Sequence, residues 1–327
     1  MIAPDGNAAS TIALLGIPVD LGASVRGTLM GPAALRTAGL GGVLEDLGYD
    51  VADYGDLLER DLVWTDDPPP ANTKHYREVQ AWTRATAQKS FEMARSGAVP
   101  VFLGGDHSLT MGSVVGVARH WQLQDRQLSV LWFDAHADYN TPQTTESQNM
   151  HGMSAAFLCG EPGLEGLIAG VARPPLRPDA LHLFGVRSID REEKQVIRDR
   201  GINVVDMRQI DRFGVVDVVQ KILETVKARN HLLHLSFDLD VLDPEAAPGV
   251  GTIVPGGITY REAHLVMEML HDSGLVASVD VVELNPFLDD RGRTARAAVE
   301  LIGSLFGRQI TERPTPTNAI VAPEDDD

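Results

Sequence analysis

The sequence predicts one α/β domain built on a parallel sheet, and three observations predict it. Short, nearly continuous apolar runs recur along all 327 residues, as strands covered on both faces require. Longer stretches with a helical apolar rhythm alternate with them, the pattern of strand–helix crossovers. No linker, internal repeat or separate module interrupts the alternation.

In chain order, TIALLG (11–16) reads as the first strand, followed by a helix over about 31–47 and a strand YDVADY (49–54). DDPPP (66–70) is a turn that stops any helix. The helix predicted over 73–96 follows it, with a polar start able to cap it. Strand VPVFLG (99–104) then leads to a helix over 108–121, and LSVLWF (128–133) and ALHLFG (180–185) are strands. A helix over 190–200, strand INVVDM (202–207), helix over 214–229 and strand LLHLSF (232–237) come next. GGITYREAH (256–264) reads as a glycine turn before a helix over 259–273 that Thr259 caps, with Arg261 and Glu262 as candidates for ion pairs. Strand VASVDVV (276–282) and a helix over 292–307 complete the set. The four tryptophans and the methionines of LVMEML (265–270) read as core.

A chain that is 43% hydrophobic can bury a sizeable core. Its net charge of −18 and the lack of a basic run exclude nucleic acid as an expected partner. A single cysteine, Cys159, excludes an intrachain disulfide framework and suits a reducing compartment. Residues 1–10 lack the basic and apolar regions of a secretory signal, and no apolar run approaches the roughly 20 residues of a membrane span. A cytoplasmic protein with no membrane partner is expected. The domain is expected over 11–310, between an N-terminal tail (1–10) and a polar, acidic C-terminal tail (311–327).

Ligands of parallel sheets bind beyond the carboxyl ends of the strands. Four predicted strands run into polar residues there: FLGG into Asp106 and His107; LSVLWF into Asp134, His136 and Asp138; LLHLSF into Asp238 and Asp240; VASVDVV into Glu283. Residues at every second position of an extended chain face one way, so Asp134, His136 and Asp138 would converge. Crowded carboxylates repel and resist desolvation, so something positive must sit among them or water must surround them. A lone histidine or Asp-x-Asp pair is more often a satisfied polar group, but two such clusters at apolar strand ends favour a two-metal site. Two divalent cations about 3.5–4 Å apart would balance four carboxylates and take two imidazole nitrogens. Mixed oxygen and imidazole donors suit Mn²⁺, with Fe²⁺, Co²⁺ or Zn²⁺ as substitutes.

The motifs GGDHS (104–108), DAHADYNTP (134–142), NMHG (149–152), SFDLDVLDP (236–244), PGVGT (248–252), GGITYREAH (256–264) and ELNP (283–286) occur in ureohydrolase order and approximate spacing. The chain resembles that family over nearly its whole length, including GIPVDLGASVRGTLMGPAALR (16–36), and most resembles the bacterial arginases. The resemblance implies a three-layer α/β/α fold with an eight-stranded parallel sheet, two Mn²⁺ per chain, and a homotrimer or homohexamer. It assigns one ion to His107, Asp134, Asp138 and Asp238 and the other to Asp134, His136, Asp238 and Asp240, with Asp134 and Asp238 bridging. The implied reaction is attack of a metal-bridging hydroxide on the guanidinium carbon of L-arginine, giving L-ornithine and urea.

By the same resemblance Asp138 moves a proton to the leaving amine, Glu283 meets the guanidinium, and His151 shuttles protons. Read alone, Glu283 is equally a strand-end cap and His151 a loop histidine. Asn140 and Ser147 match residues that bind the substrate carboxylate, Asp190 one that meets the amino group with Glu193 assisting, and Thr252 a contact on the guanidinium side. Agmatine-hydrolysing relatives lack this carboxylate loop, so the loop selects arginine. The chain departs from the family pattern at Gln148 and Val241, each in place of glycine, and Glu146 adds a negative charge. A positive φ at 148 or 241 would carry strain. These departures keep open a ureohydrolase for another guanidino acid, such as a guanidinobutyrate or a modified arginine. A non-catalytic binding or regulatory protein on the same fold would be marked by lost ligands, and none is lost.

Overall fold

The computed structural model describes residues 11–168 and 175–309. The predicted tails, 1–10 and 311–327, lie outside the described residues. Eight strands form one sheet: β1 (Thr11–Ile17), β2 (Asp50–Asp56), β3 (Val99–Gly104), β4 (Leu128–Phe133), β5 (Leu181–Val186), β6 (Asn203–Asp206), β7 (Leu232–Asp238) and β8 (Val276–Val282). The order is β2-β1-β3-β8-β7-β4-β5-β6, and every pairing is parallel. Each strand predicted from the apolar runs is present.

Among the described residues the helices are α1 (Gly31–Thr37), α2 (Leu40–Asp46), α3 (Tyr76–Arg95), α4 (Thr110–Gln122), α5 (Ser154–Leu158), α6 (Arg191–Arg200), α7 (Met207–Phe213), α8 (Val215–Ala228), α9 (Tyr260–Ser273) and α10 (Arg293–Leu305). They cover both faces of the sheet. The alternation within β1 shows why: Ile12 and Leu14 pack with α1, α2 and α7–α10, while Ala13, Leu15 and Ile17 pack with α3–α6. β3, β4, β5, β7 and β8 are buried along their whole length, which accounts for their continuous apolar sequences.

The predicted helix over 31–47 is two helices, because Gly39 adopts φ 94 between them. α3 begins at Tyr76, after His75 at φ 53, and no side chain caps it. Two short helices escaped the periodicity. α5 is buried on every side, so it shows no amphipathic rhythm. α7 starts directly after β6, where Asp206 accepts the Gln209 N–H at 2.8 Å. Thr259 caps α9 as expected; Glu262 closes the reciprocal half of that cap, accepting the Thr259 N–H at 2.9 Å. The tryptophan expectation fails at Trp64, which is 57% exposed, whereas Trp132 is fully buried. Met267 is buried as predicted.

The order places β3, β8, β7 and β4 side by side at the centre of the sheet. Their carboxyl ends are the four that carry the suspect acids and histidines, so one rim collects them all. Behind that rim, α3 and α4 cross closely: a Cβ on Gly116 would lie 2.4 Å from the Ala87 carbonyl oxygen and 2.6 Å from Ser90 Cβ. Gly116→Ala is expected to lower the unfolding free energy by about 1–3 kcal/mol through overpacking. Urea denaturation checks it; an unchanged midpoint would contradict the close crossing.

Candidate metal centre

The turn after β3 sets the first ligand. Asp106 is buried, and its carboxylate accepts the N–H groups of Gly22 at 2.7 Å, Ala23 at 3.2 Å and Ser108 at 3.0 Å. This ties the loop after β1 to the turn. The neighbouring His107 N–H donates to Glu283 Oε1 at 2.8 Å. The His107 ring stacks on Trp132, centroids 4.1 Å apart, and its Nε2 meets Ser236 Oγ at 2.8 Å. With Nε2 as donor, the Nδ1 lone pair is aimed into the rim.

There Nδ1 faces Asp238 Oδ2 at 3.0 Å, Asp134 Oδ2 at 3.1 Å and Asp138 Oδ2 at 3.2 Å. It is buried and makes no well-formed hydrogen bond. An imidazole nitrogen and three carboxylate oxygens aimed at one enclosed point are the donors a hard-to-borderline dication takes. A second group adjoins it: His136 Nδ1 lies 3.0 Å from Asp240 Oδ2 and 3.5 Å from Asp134 Oδ1. His107, Asp134 and Asp238 form one compact donor group, and Asp134, His136 and Asp240 the other, so Asp134 is common to both. The residues present therefore fit a pair of dications.

The remaining oxygens are held from outside. Asp134 accepts the Trp132 Nε1–H at 2.9 Å and the His136 N–H at 2.6 Å. Asp238 accepts the Asp240 N–H at 2.8 Å; Asp240 accepts the Ala135 N–H at 3.1 Å and the Thr252 hydroxyl at 2.9 Å. Such contacts fix the direction of each carboxylate.

Without a cation the cluster must share protons. Burial opposes charge on His136, yet Asp240 and Asp134 push it up to about 12; His107 is likewise held well above its ordinary value by Asp134, Asp138 and Asp238. Burial and then neighbouring carboxylates raise Asp138 and Asp238, and bring Asp240 to about 6. Burial also disfavours charge on Asp134, but the adjoining His107 and His136 imidazoles lower it overall. Acids pushed toward protonation beside imidazoles held protonated show a site short of positive charge.

Sequence reasoning missed Arg187. Its half-buried guanidinium donates to the carbonyls of Asp240 at 2.7 Å, Val254 at 2.8 Å and Val241 at 3.1 Å. It holds the turn after β7 and places a fixed cation behind the acids. Its signal was the arginine following β5 in GVRSID, a segment read only for Asp190 and Glu193.

Beside the cluster is a cavity of about 110 Å³. Asn140, Ser147, Asp190, Glu193 and Thr252 all line it, together with Asp138, His136, His151, Asp238 and Asp240. Asn140 Nδ2 donates to Asp190 Oδ2 at 2.9 Å. Burial raises Glu193 to about 8, against the N–H groups of Asp190 and Tyr139 that it accepts. Glu283 is buried against His151, whose Nδ1 donates to its Oε1 at 2.9 Å. Ser147 Oγ accepts the Asn149 N–H at 3.1 Å.

Backbone strain gathers here. Asp138, Gln148 and Glu283 have φ of 48, 64 and 65, a region costly for residues other than glycine. The concern over Gln148 is therefore realised. Val241 is not in that region; its side chain packs on Gly185, where a Cβ would sit 2.5 Å from Val241 Cγ2.

The family model described as "Arginase family" matches residues 10–307. The arginase of Agrobacterium fabrum is 49% identical over 312 residues, covering 94% of each chain. The native structure of Bacillus caldovelox arginase superposes with a TM-score of 0.85 at 42% identity, covering 92% of this chain and 100% of that one. The Bacillus cereus arginase structure gives 0.84 at 40% identity, with the same coverage.

The His151–Glu283 pair carries a pH signature. Burial works against His151⁺, but Glu283 raises it to about 9; burial works against ionised Glu283, but His151 lowers it. A raised histidine stabilises fully below its ordinary 6.5 and loses this as pH rises through 9; a lowered glutamate stabilises above its ordinary 4.5. His151→Asn should thus destabilise most between those two ordinary values and least above about pH 10, where the ionic contribution is gone. Thermal unfolding across pH measures it; a pH-independent difference would contradict the pairing.

Proposed function

The chain belongs to the arginase family, and on that premise we propose that it hydrolyses L-arginine to L-ornithine and urea, with residues 11–310 as the catalytic domain. The carrying observation is one small cavity that joins a carboxylate-rich inner end to a wall able to hold an amino acid. The inner end suits a guanidinium; Asn140, Ser147, Asp190 and Glu193 suit an α-carboxylate and α-amino group.

His107, Asp134, Asp138 and Asp238 would hold one Mn²⁺ and Asp134, His136, Asp238 and Asp240 the other. Bound there, the ions supply positive charge and acidify water near neutral pH. The side chains do the rest. Thr252 and the acids orient the guanidinium carbon toward that water. Addition gives a tetrahedral carbon, whose bond to the δ-nitrogen breaks only if that nitrogen is protonated. The Asp138 carboxylate, on the cavity wall, takes the water proton and delivers it to the departing amine. His151, held protonated by Glu283, exchanges protons between this site and solvent. Glu283, whose Oε1 accepts from His151 and the His107 N–H, would supply the carboxylate that pairs with the guanidinium. Assembly as a homotrimer or homohexamer is proposed on the resemblance alone.

Urea release from L-arginine by the Mn²⁺-loaded chain tests the reading against agmatine and guanidinobutyrate. Arginine should give the highest kcat/KM, and a clear preference for either other guanidine would overturn the substrate. Asn140→Ala should raise KM for arginine roughly tenfold while kcat changes little, the mark of lost uniform binding.

A further inference from the structure

Resting on that reading, we propose that Tyr139, Glu161 and Arg200 form a positioning strap that sets Asn140 and Asp190 for the substrate. Tyr139 lies between a cluster acid, Asp138, and a cavity residue, Asn140. Its ring is fully buried, and its hydroxyl donates to Glu161 Oε1 at 2.9 Å. Glu161 is 4% exposed and is closed from the other side by Arg200, Nε to Oε1 at 2.7 Å and Nη2 to Oε2 at 2.9 Å. Arg200 is the last residue of α6.

The first turn of α6 holds the same segment. Glu193 accepts the Tyr139 N–H through Oε1 at 2.7 Å and the Asp190 N–H through Oε2 at 2.9 Å. One helix therefore holds Tyr139 twice, directly at the backbone from its start and, through Glu161, at the phenol from its end. Beside the first grip lies the Asn140–Asp190 contact, Asp190 being the residue that opens α6. Asn140 Oδ1 also accepts the Thr144 hydroxyl at 2.9 Å. The grip also opposes relaxation of the left-handed Asp138 backbone, since strain of that kind persists only where its surroundings over-determine it.

Stability alone does not account for the strap. Burying the Glu161 carboxylate carries a desolvation cost that a half-exposed Arg200 only partly offsets, and a phenylalanine would fill the Tyr139 site. The hydroxyl and its carboxylate partner instead fix where the segment stands, as a directional, charge-assisted contact does.

The test uses the full, Mn²⁺-loaded chain. Tyr139→Phe should raise both KM for arginine and the calorimetric Kd for L-ornithine by about tenfold, the lower end of the scale for one lost hydrogen bond to a charged group. The kcat should stay within about twofold and the metal content unchanged. The double variant Tyr139→Phe/Glu161→Gln should be no worse in KM than Tyr139→Phe, because the two act as one unit. A merely structural role would lower Tm and the active fraction at constant KM and ornithine Kd, and that result would overturn the strap. Should Tyr139→Phe fail to fold, Arg200→Lys, at the half-exposed end, gives the second reading: a smaller rise in KM supports the strap and an unchanged KM overturns it. A parent chain inert on arginine would sink the arginase reading itself, whereas an active parent with indifferent variants sinks only the strap.

Discussion

Like-charge crowding at a buried rim governs this structure. Four carboxylates and two imidazoles meet within a few ångströms, and water cannot reach most of them: Asp134 and His107 are fully buried. Such a cluster is costly unless each oxygen is held and the net charge is offset. The surroundings read as the response. Backbone N–H groups, Trp132 and Thr252 take the spare lone pairs. Arg187 stands behind the turn after β7 as a fixed cation, and dications suit the space that remains.

The same constraint reaches into the backbone. Parallel strands end in a row, so the chain must turn sharply after each to present a side chain to one point. Asp138 and Glu283 adopt left-handed φ at two such turns. Asp106 contributes no donor to the cluster, yet it ties the turn before His107 to the loop after β1. Strain and buried acids are stability costs concentrated where function requires fixed geometry. The continuous apolar strands and two full hydrophobic faces offset them.

The sheet was legible because both faces of its central strands are covered, leaving apolar runs that no helix rhythm imitates. The rim followed, since chemistry on parallel sheets gathers at carboxyl ends and four strands ended in acids or histidine. Substrate-side residues such as Asn140 and Thr252 were legible only through resemblance; their spacing alone shows no convergence. What escaped depended on contacts between distant segments. The break at Gly39 needed its φ, and α5 lacked an amphipathic face. Trp64 was misplaced because hydrophobicity permits burial without requiring it. Arg187 works through carbonyls, which carry no sequence signal. The two contacts on Glu283 Oε1, from His151 and the His107 N–H, join segments far apart in sequence and had no signal in it. Of the two glycine replacements, only Gln148 falls at a left-handed position, a distinction that residue type cannot make.

Calorimetric titration of Mn²⁺ into the metal-stripped chain tests the central claim most directly. The account predicts two ions bound per chain, protons released from the imidazoles and raised acids as they bind, and a higher Tm, with at most one ion retained when Asp134, common to both donor groups, is changed to Ala. Fewer than one ion per chain, with no proton release and no change in Tm, would contradict it.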